Sequence, residues 1–143
     1  LLITYKGVTP RKTDKEYLVS TGLDILPTLC DYAGIKPAAH LLGKSLRAIA
    51  EGKTVNKRRP YVVSENGWGR MIRSKKFKYC IYDTGASREF LVDLENDPGE
   101  MRNIANNQRY KKAMDEHRQF LKEWIQISKD TDGLKYLKVQ ANI

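Results

Sequence analysis

The chain has 143 residues, of which 41% are hydrophobic, and this composition excludes a disordered protein and favours a folded one with a core. Every apolar run is far shorter than the roughly 20 residues that cross a bilayer, so the sequence predicts no membrane span. The net charge is +9, but the basic residues are spread along the chain, so we expect no nucleic-acid partner. The one tight basic run, Lys57-Arg58-Arg59, is interpreted as a solvated turn in a linker.

The chain opens with an apolar run, residues 1–5, that predicts a buried strand. Because it has no initiating methionine, we interpret it as the continuation of a larger element. A helix over 25–33 follows, with Asp24 as its N-cap and Pro27 in its first turn, although the Thr21-x-x-Asp24 spacing permits a start one turn earlier. The predicted apolar face of this helix consists of Ile25, Leu26, Leu29, Cys30 and Ala33.

Residues 36–60 are rich in proline and glycine and predict a surface connection that carries one short helix near 45–50. We take this connection as the boundary between two domains, 1–60 and 61–143. The second domain begins with alternating apolar and polar residues that predict strands at 61–65, 70–73, 77–83 and 90–94. Their connections are short, which favours an antiparallel sheet.

A long helix over roughly 107–128 should lie on one face of this sheet, because apolar residues recur there at three-four spacing. They are Tyr110, Ala113, Met114, His117, Leu121, Trp124 and Ile125. The tail from Lys129 is polar at first, and Leu134, Tyr136 and Leu137 are candidates to dock back. The predicted fold class is therefore α+β, a four-stranded antiparallel sheet with a long C-terminal helix, preceded by a strand and a helix.

The segment from Glu65 to Arg70, ENGWGR, is the best candidate for ligand binding. Its glycines allow a sharp turn after a strand, and the turn presents Glu65, Asn66, Trp68 and Arg70. A tryptophan can stack on a sugar ring, and an arginine can bind a sulfate or carboxylate through two parallel hydrogen bonds. The alternative is that Trp68 packs on the sheet and Arg70 is a solvated strand residue.

Each of the remaining candidate site residues can be interpreted either as a functional group or as an ordinary structural residue. His40 lies in the connection and is either a substrate contact or a surface residue, whereas His117 is expected to be a packed histidine. Asp130 opens a segment, DTDG, that lacks the later ligands of a calcium loop, so a solvated turn is expected. Cys30 and Cys80 have no neighbouring cysteine that would indicate zinc, and a disulfide between them stays open.

Three segments in order resemble type I sulfatases, the arylsulfatase-like enzymes. Residues 22–35, GLDILPTLCDYAGI, resemble the sulfatase helix DLLPTLLDLAGI, and residues 43–46, GKSL, resemble the GxSL that follows it. Residues 89–105, EFLVDLENDPGEMRNIA, resemble LYDLxxDPxExxNLA near the sulfatase C-terminus. Together they identify roughly residues 1–128 as similar to the C-terminal region of a sulfatase.

The resemblance implies an alkaline-phosphatase-like fold, in which a large α/β domain carries the active site and a smaller C-terminal domain has a four-stranded sheet and a long helix. Residues 1–60 would be the terminal strand, helix and linker of the large domain, and residues 61–143 the C-terminal subdomain. The chain would complete the fold and form one wall of the substrate cleft. Family members are commonly exported, which implies a periplasmic or secreted location.

The activity implied by the resemblance is hydrolysis of sulfate esters, on a sulfated glycan or a small aryl sulfate. Sulfatases use a formylglycine made from the cysteine or serine of a C/S-x-P-x-R motif and a calcium ion held by Asp and Asn side chains. Neither Cys30 nor Cys80 has the proline and arginine of that motif. Calcium and formylglycine are therefore expected in an N-terminal domain that precedes residue 1. The chain alone should be inactive, with that domain as its partner.

Two other functions remain open at the level of sequence. A related phosphodiesterase or phosphoglycerol transferase shares the superfold, although the segment 89–105 argues against it. A non-enzymatic basic module that binds acidic polymers would use the net positive charge, although that charge is spread out. If the chain is part of a sulfatase, the strand 1–5 and the helix 25–33 should expose apolar surface, because they would pack against the preceding domain.

Overall fold

The computed structural model describes residues 1–56 and 58–141. The chain divides into two compact units, Leu1–Arg59 and Pro60–Ile143. Lys57, the first residue of the basic run, lies outside the described residues. The first unit contains the helices α1, Thr21–Tyr32, and α2, Arg47–Ala50.

Helix α1 begins one turn earlier than the main prediction. Its N-cap is Ser20, and Asp24 lies inside the first turn, where its Oδ2 accepts a hydrogen bond of 2.8 Å from the Ser20 backbone N–H. The assignment of Asp24 as the N-cap was therefore wrong. Pro27 lies in the second turn instead of the first. Because proline has no N–H, it cannot donate the usual helical hydrogen bond to the Leu23 carbonyl four residues earlier.

The predicted apolar face of α1 is exposed. Ile25, Leu26 and Leu29 are 45%, 53% and 60% exposed, whereas Asp24 and Thr28 are buried on the opposite side. The sequence analysis expected this helix to expose apolar surface, and the exposure agrees with that expectation. The spacing of the apolar residues did not show that the buried side would be polar.

The buried side of α1 is held by the segment 43–46. The Lys44 N–H donates to Asp24 Oδ1 at 2.9 Å, and the Leu46 N–H donates to Thr28 Oγ1 at 2.9 Å. The Ser45 hydroxyl donates to Asp31 Oδ2 at 2.5 Å. Two of the three segments that resemble sulfatases are therefore bonded to each other along the polar side of one helix.

Arg59 is also part of this arrangement, which corrects its assignment to a solvated turn. Its Nη2 lies 2.6 Å from Asp24 Oδ1, and the two side chains are 8% and 0% exposed. Arg58, by contrast, is about half exposed. Burial of Arg59 follows from Asp24, because a fully buried carboxylate is costly unless a cation and hydrogen-bond donors surround it.

Residues 1–5 form no strand, contrary to the prediction. Leu1 and Leu2 are 67% and 89% exposed, and Tyr5 makes an edge contact with Tyr32 at a ring-centroid distance of 5.7 Å. A strand requires a neighbour that completes its hydrogen bonds, and none of the described residues pairs with this segment.

The second unit contains the four predicted strands, which form one antiparallel sheet in the order β1-β2-β3-β4. The strands are β1, Tyr61–Glu65; β2, Gly69–Ser74; β3, Phe77–Tyr82; and β4, Glu89–Asp93. The α+β class and the four-stranded sheet predicted from the sequence are confirmed. Neighbouring strands are consecutive in the chain because each connection is short.

The long helix predicted over 107–128 is a 3₁₀ turn, Gln108–Tyr110, that continues as α3, Lys111–Ser128. A last helix, α4, spans Leu134–Ala141. One face of the sheet, α3 and α4 enclose the hydrophobic core. Its buried members are Ile72, Tyr79, Ile81, Leu91, Met114, Leu121, Ile125 and Tyr136.

His117 is a packed core histidine, as expected from its place in the helical pattern. It is 1% exposed, its Nδ1 lies 2.7 Å from the Ala113 carbonyl oxygen, and its Nε2 lies 3.0 Å from Ser74 Oγ. This geometry assigns the proton to Nδ1, which donates to the carbonyl. Burial lowers the pKa of His117 below 6.5, although the Ala113 carbonyl opposes that shift.

The lowered pKa predicts that the second unit loses stability as the pH falls below 6.5. In this range the unfolded chain binds a proton at this position and the folded chain does not, so acid favours unfolding by up to about 1.4 kcal/mol per pH unit. Urea denaturation at pH 7.5 and 5.5 should show a smaller acid loss for His117→Gln than for the wild type. His40→Gln, at the other, exposed histidine, should retain the full loss. An equal loss in His117→Gln would contradict the assignment.

Candidate functional site

The candidate site is the turn between β1 and β2, residues 65–70, called the Trp68 loop here. Asn66 shapes it, because its Oδ1 accepts hydrogen bonds from the backbone N–H groups of Trp68, at 2.9 Å, and Gly69, at 2.8 Å. An asparagine side chain commonly closes a turn in this way. The Asn66 N–H also donates to the Gly69 carbonyl at 3.2 Å.

The turn presents Trp68 to solvent. The side chain is 72% exposed, so the alternative in which Trp68 packs on the sheet is wrong. The loop backbone, by contrast, is fixed to the sheet, because the Trp68 carbonyl accepts a hydrogen bond of 3.1 Å from the Asp83 N–H. A side chain at Gly69 would place its Cβ 2.6 Å from the Ile81 carbonyl oxygen, so only glycine permits this close approach.

Arg70 is buried, which corrects its alternative assignment as a solvated strand residue. The residue is 7% exposed, and its Nε and Nη2 donate to the two carboxylate oxygens of Asp130 at 2.7 and 2.9 Å. Its Nη1 donates to the carbonyl oxygens of Asn66, at 2.7 Å, and Gly69, at 3.0 Å. The guanidinium that was predicted to bind sulfate thus already has a bidentate carboxylate partner.

Asp130 likewise does not lie in a solvated turn. Its side chain is 10% exposed, and the Arg70 guanidinium holds the pKa of its carboxyl below the usual value. No local pattern in the sequence indicates this pair, since the two residues are 60 positions apart. Sequence reasoning therefore missed Asp130 as the partner of the candidate site.

The other predicted site residues are more exposed. The Glu65 carboxylate accepts a hydrogen bond from the indole N–H of Trp124 in α3. Glu65 and Asn66 are both exposed to solvent. His40 is exposed at the end of a turn in the first unit. The structure thus brings Glu65, Asn66, Trp68 and Arg70 together in one loop. His40 belongs to the other unit.

Both cysteines are free thiols. The disulfide between Cys30 and Cys80, which the sequence left undecided, is therefore not formed. Burial raises the pKa of the Cys80 thiol, which makes it a poor nucleophile at neutral pH. Within residues 1–56 and 58–141, no group of three His, Cys, Asp or Glu side chains has an arrangement that could hold a metal ion. Among the same residues, no helix is both long enough and apolar enough to cross a membrane.

Comparison with known proteins gives the family. Residues 1–127 match the family model described as N-sulphoglucosamine sulphohydrolase, C-terminal. The chain belongs to this family. The resemblance to the C-terminal region of sulfatases, which rested on three short segments, is thereby confirmed over most of the chain.

The relatives of this sulfatase region are enzymes several times its length. A Delta 4,5-hexuronate-2-O-sulfatase of Bacteroides thetaiotaomicron is 40% identical over 95% of this chain, which spans 30% of that enzyme. A crystal structure described as a putative sulfatase from the same organism superposes with a TM-score of 0.75 at 41% identity, over 83% of this chain and 27% of that one.

A further solved structure is in complex with its substrate, D-glucosamine-2-N,6-O-disulfate. It superposes with a TM-score of 0.68 at 28% identity, over 77% of this chain and 24% of that one. The chain thus spans less than a third of the length of each of these three relatives.

Proposed function

We propose that the chain is the C-terminal part of a longer sulfatase that hydrolyses sulfate esters. The match of residues 1–127 to a sulfatase C-terminal family carries this proposal. A sulfated glycan is the favoured substrate class over a small aryl sulfate, because one relative is a hexuronate sulfatase and another was solved with a disulfated glucosamine. The Trp68 loop is its proposed contact with the glycan.

Neither formylglycine nor calcium fits the residues of this chain. Cys30 and Cys80 lack the C-x-P-x-R context, and the described residues contain no acidic cluster with metal-binding geometry. In the proposed enzyme both groups belong to the preceding domain, and this chain supplies fold completion and one wall of the cleft.

The proposed division of labour follows the two units. Residues 1–60 would complete the large α/β domain, and residues 61–143 would be the C-terminal subdomain. The exposed apolar face of α1 supports a role of the first unit in the large domain, because a contiguous exposed apolar patch generally marks an interface. Residues 1–5 would then form their strand on the sheet of the preceding domain. Export to the periplasm or the cell exterior is part of the same proposal, and a signal peptide upstream would test it.

Trp68 is suited to contact a sugar. Its indole is largely exposed on a backbone fixed by Asn66 and Asp83, so binding would not first have to order the loop. An indole can stack on the C–H face of a sugar ring and offers one N–H donor. The assignment of Glu65, Asn66 and His40 to substrate binding stays a prediction.

Two observations test the proposal. The reading frame that encodes this chain should contain a C/S-x-P-x-R motif upstream of Leu1, and its absence would overturn the sulfatase assignment. In the full-length enzyme, Trp68→Ala should lower kcat/KM for a sulfated oligosaccharide about tenfold, which corresponds to about 1.4 kcal/mol of lost binding.

The matched variants separate stacking from a general effect of surface truncation. Trp68→Phe should keep most of the activity, because it retains an aromatic face. Ile127→Ala, which removes another exposed apolar side chain at 56% exposure, should leave kcat/KM unchanged. Equal kcat/KM for Trp68→Ala and the wild type would remove Trp68 from the substrate site.

A further inference from the structure

The segment that follows α3, residues 129–138, is called the tail here. It lies beyond the family match, which ends at residue 127. Lys129 ends α3 in the left-handed conformation with a φ of 57°, and the chain then reverses through a turn into α4. This reversal brings the tail back to the end of the sheet at which the Trp68 loop lies, as the hydrogen bonds between Arg70 and Asp130 show.

The first link between the tail and the loop is the Arg70–Asp130 pair. Asp130 accepts two hydrogen bonds from the guanidinium, whose remaining donor group, Nη1, binds the carbonyl oxygens of Asn66 and Gly69. One planar group therefore bonds the tail to the backbone on both sides of Trp68. Because a guanidinium is rigid and planar, fixing it at one edge fixes the orientation of the other.

The second link reaches the loop through Asp83. Lys135 Nζ lies 3.0 Å from Asp83 Oδ2, and the backbone N–H of Asp83 donates to the Trp68 carbonyl at 3.1 Å. The tail thus contacts Asp83, whose backbone N–H binds the loop, as well as Arg70, the last residue of the loop.

Tyr136 and Gly133 keep the first link in place. Tyr136 is fully buried, and the Arg70 guanidinium lies over its ring, 5.4 Å from the centroid. The Gly133 N–H donates to Asp130 Oδ1 at 2.9 Å, and a Cβ at Gly133 would lie 2.3 Å from Asp130 Oδ2. Gly133 therefore leaves room for the carboxylate and holds one of its oxygens in the orientation in which it binds Arg70.

We propose that the tail positions the Trp68 loop, with Asp130 and Lys135 as positioning residues that hold the indole at the substrate cleft. The expected effect of the tail on substrate binding rests on the proposed function, whereas its effect on the position of the loop does not. Neither residue touches the substrate; both act through the backbone that carries Trp68.

A purely stabilising role explains this arrangement less well. Desolvation of an arginine and an aspartate offsets much of their attraction, so a buried pair gives little net stability compared with apolar side chains of similar volume. Such a pair does fix the relative position of the groups that it joins. Here it fixes the loop backbone, at Asn66 and Gly69, relative to Asp130 of the tail. Hydrophobic docking of Tyr136 alone would anchor α4 without fixing Asn66 and Gly69.

The structural test uses the whole chain labelled with 5-fluorotryptophan. The chain has two tryptophans, so the ¹⁹F spectrum should show two resonances, assigned with Trp68→Phe. In Asp130→Asn, the Trp68 resonance should narrow and move toward that of the free amino acid, because the indole gains mobility. The Trp124 resonance reports whether α3 stays folded, so it should remain dispersed. Asp132→Asn, the same change at an exposed position of the same turn, should leave both resonances in place.

A second variant protects the test against unfolding of Asp130→Asn. Lys135→Ala removes a side chain that is 46% exposed, so the fold should persist, and the Trp68 resonance should move in the same direction by less. An unchanged Trp68 resonance in folded Asp130→Asn, or in Lys135→Ala if the former unfolds, would overturn the proposal.

The kinetic test separates this inference from the function on which it rests. In the full-length sulfatase, Asp130→Asn should raise KM for a sulfated oligosaccharide several-fold with kcat unchanged, because a mobile indole loses binding but not chemistry. A shifted Trp68 resonance with unchanged KM would support the positioning of the loop and overturn the role of Trp68 at the substrate. A lower kcat at unchanged KM would overturn positioning as the cause of the kinetic effect.

Discussion

Gly43→Ala is expected to destabilise the first unit by about 3 kcal/mol or more. A Cβ at this position would lie 1.8 Å from the Leu23 carbonyl oxygen and 2.5 Å from its carbon. Both are backbone atoms of α1, so a small side-chain movement cannot relieve the overlap. The segment 43–46 would have to move away from the helix, and the hydrogen bonds from Lys44 to Asp24 and from Leu46 to Thr28 would be lost.

Hydrogen exchange measured by mass spectrometry is the appropriate measurement, because the two units report separately. Peptides from α1 should lose protection in Gly43→Ala, whereas peptides from β1 to β4 should not. Gly22→Ala is the control: nothing lies within 4 Å of its Cβ position, and alanine favours a helix by up to about 1 kcal/mol over glycine. Wild-type protection of α1 in Gly43→Ala would show that the close approach is not needed.

The same contact gives a physical reason for the glycine in the GxSL-like segment. Pro27 has no N–H to donate to the Leu23 carbonyl four residues earlier, and Gly43 approaches that carbonyl with its backbone. Any side chain at position 43 would overlap this oxygen, so the close approach requires glycine. The sequence made the segment recognisable, but only the packing relates Gly43 to Pro27.

Local pattern predicted the second unit well because each of its elements is determined by its own residues. Alternation over short runs gave the four strands, and the three-four spacing gave α3, with a 3₁₀ turn, Gln108–Tyr110, as its first part. The short connections then left the antiparallel meander as the simplest arrangement. None of these inferences needed knowledge of a contact between distant residues.

The errors fall where a distant partner decides the outcome. Residues 1–5 have a strand-like sequence but no neighbour to pair with among the described residues. Asp24 is of a residue type that is common at the N-cap, but its burial inside the helix depends on Arg59, 35 positions away. Arg70 has the local sequence of a solvated strand residue, but its burial depends on Asp130, 60 positions away. Periodicity does not encode such pairs.

Glu89→Ala is expected to destabilise the second unit by about 3 kcal/mol. Glu89 begins the segment 89–105 that resembles the sulfatase C-terminus, and it is 7% exposed at the start of β4. Its Oε1 accepts hydrogen bonds from the Tyr79 hydroxyl at 2.6 Å and from Arg118 Nε at 2.9 Å. Arg118 Nη2 donates to Oε2 at 2.5 Å. The carboxylate thus joins two strands of the sheet to α3.

Removal of Glu89 would leave Arg118, among the described residues, with only its longer ion pair to the half-exposed Asp115, at 3.6 Å, which is why the cost should exceed that of a surface ion pair. The matched control is Glu95→Ala, which breaks a pair with Lys76 at 3.0 Å in which both side chains are about half exposed. That change should cost less than about 1 kcal/mol. Urea denaturation at pH 7 gives both free energies of unfolding.

A double-mutant cycle with Arg118→Met decides whether the pair itself is the cause. If Glu89 acts mainly by neutralising Arg118, the double variant should be less destabilised than the sum of the single changes, with a coupling of about 1 to 3 kcal/mol. A coupling near zero would mean that Glu89 acts through Tyr79 and its own packing. In either case the residue that begins the family-like segment has a structural task. Its carboxylate fixes α3 to β3 and β4 through Arg118 and Tyr79.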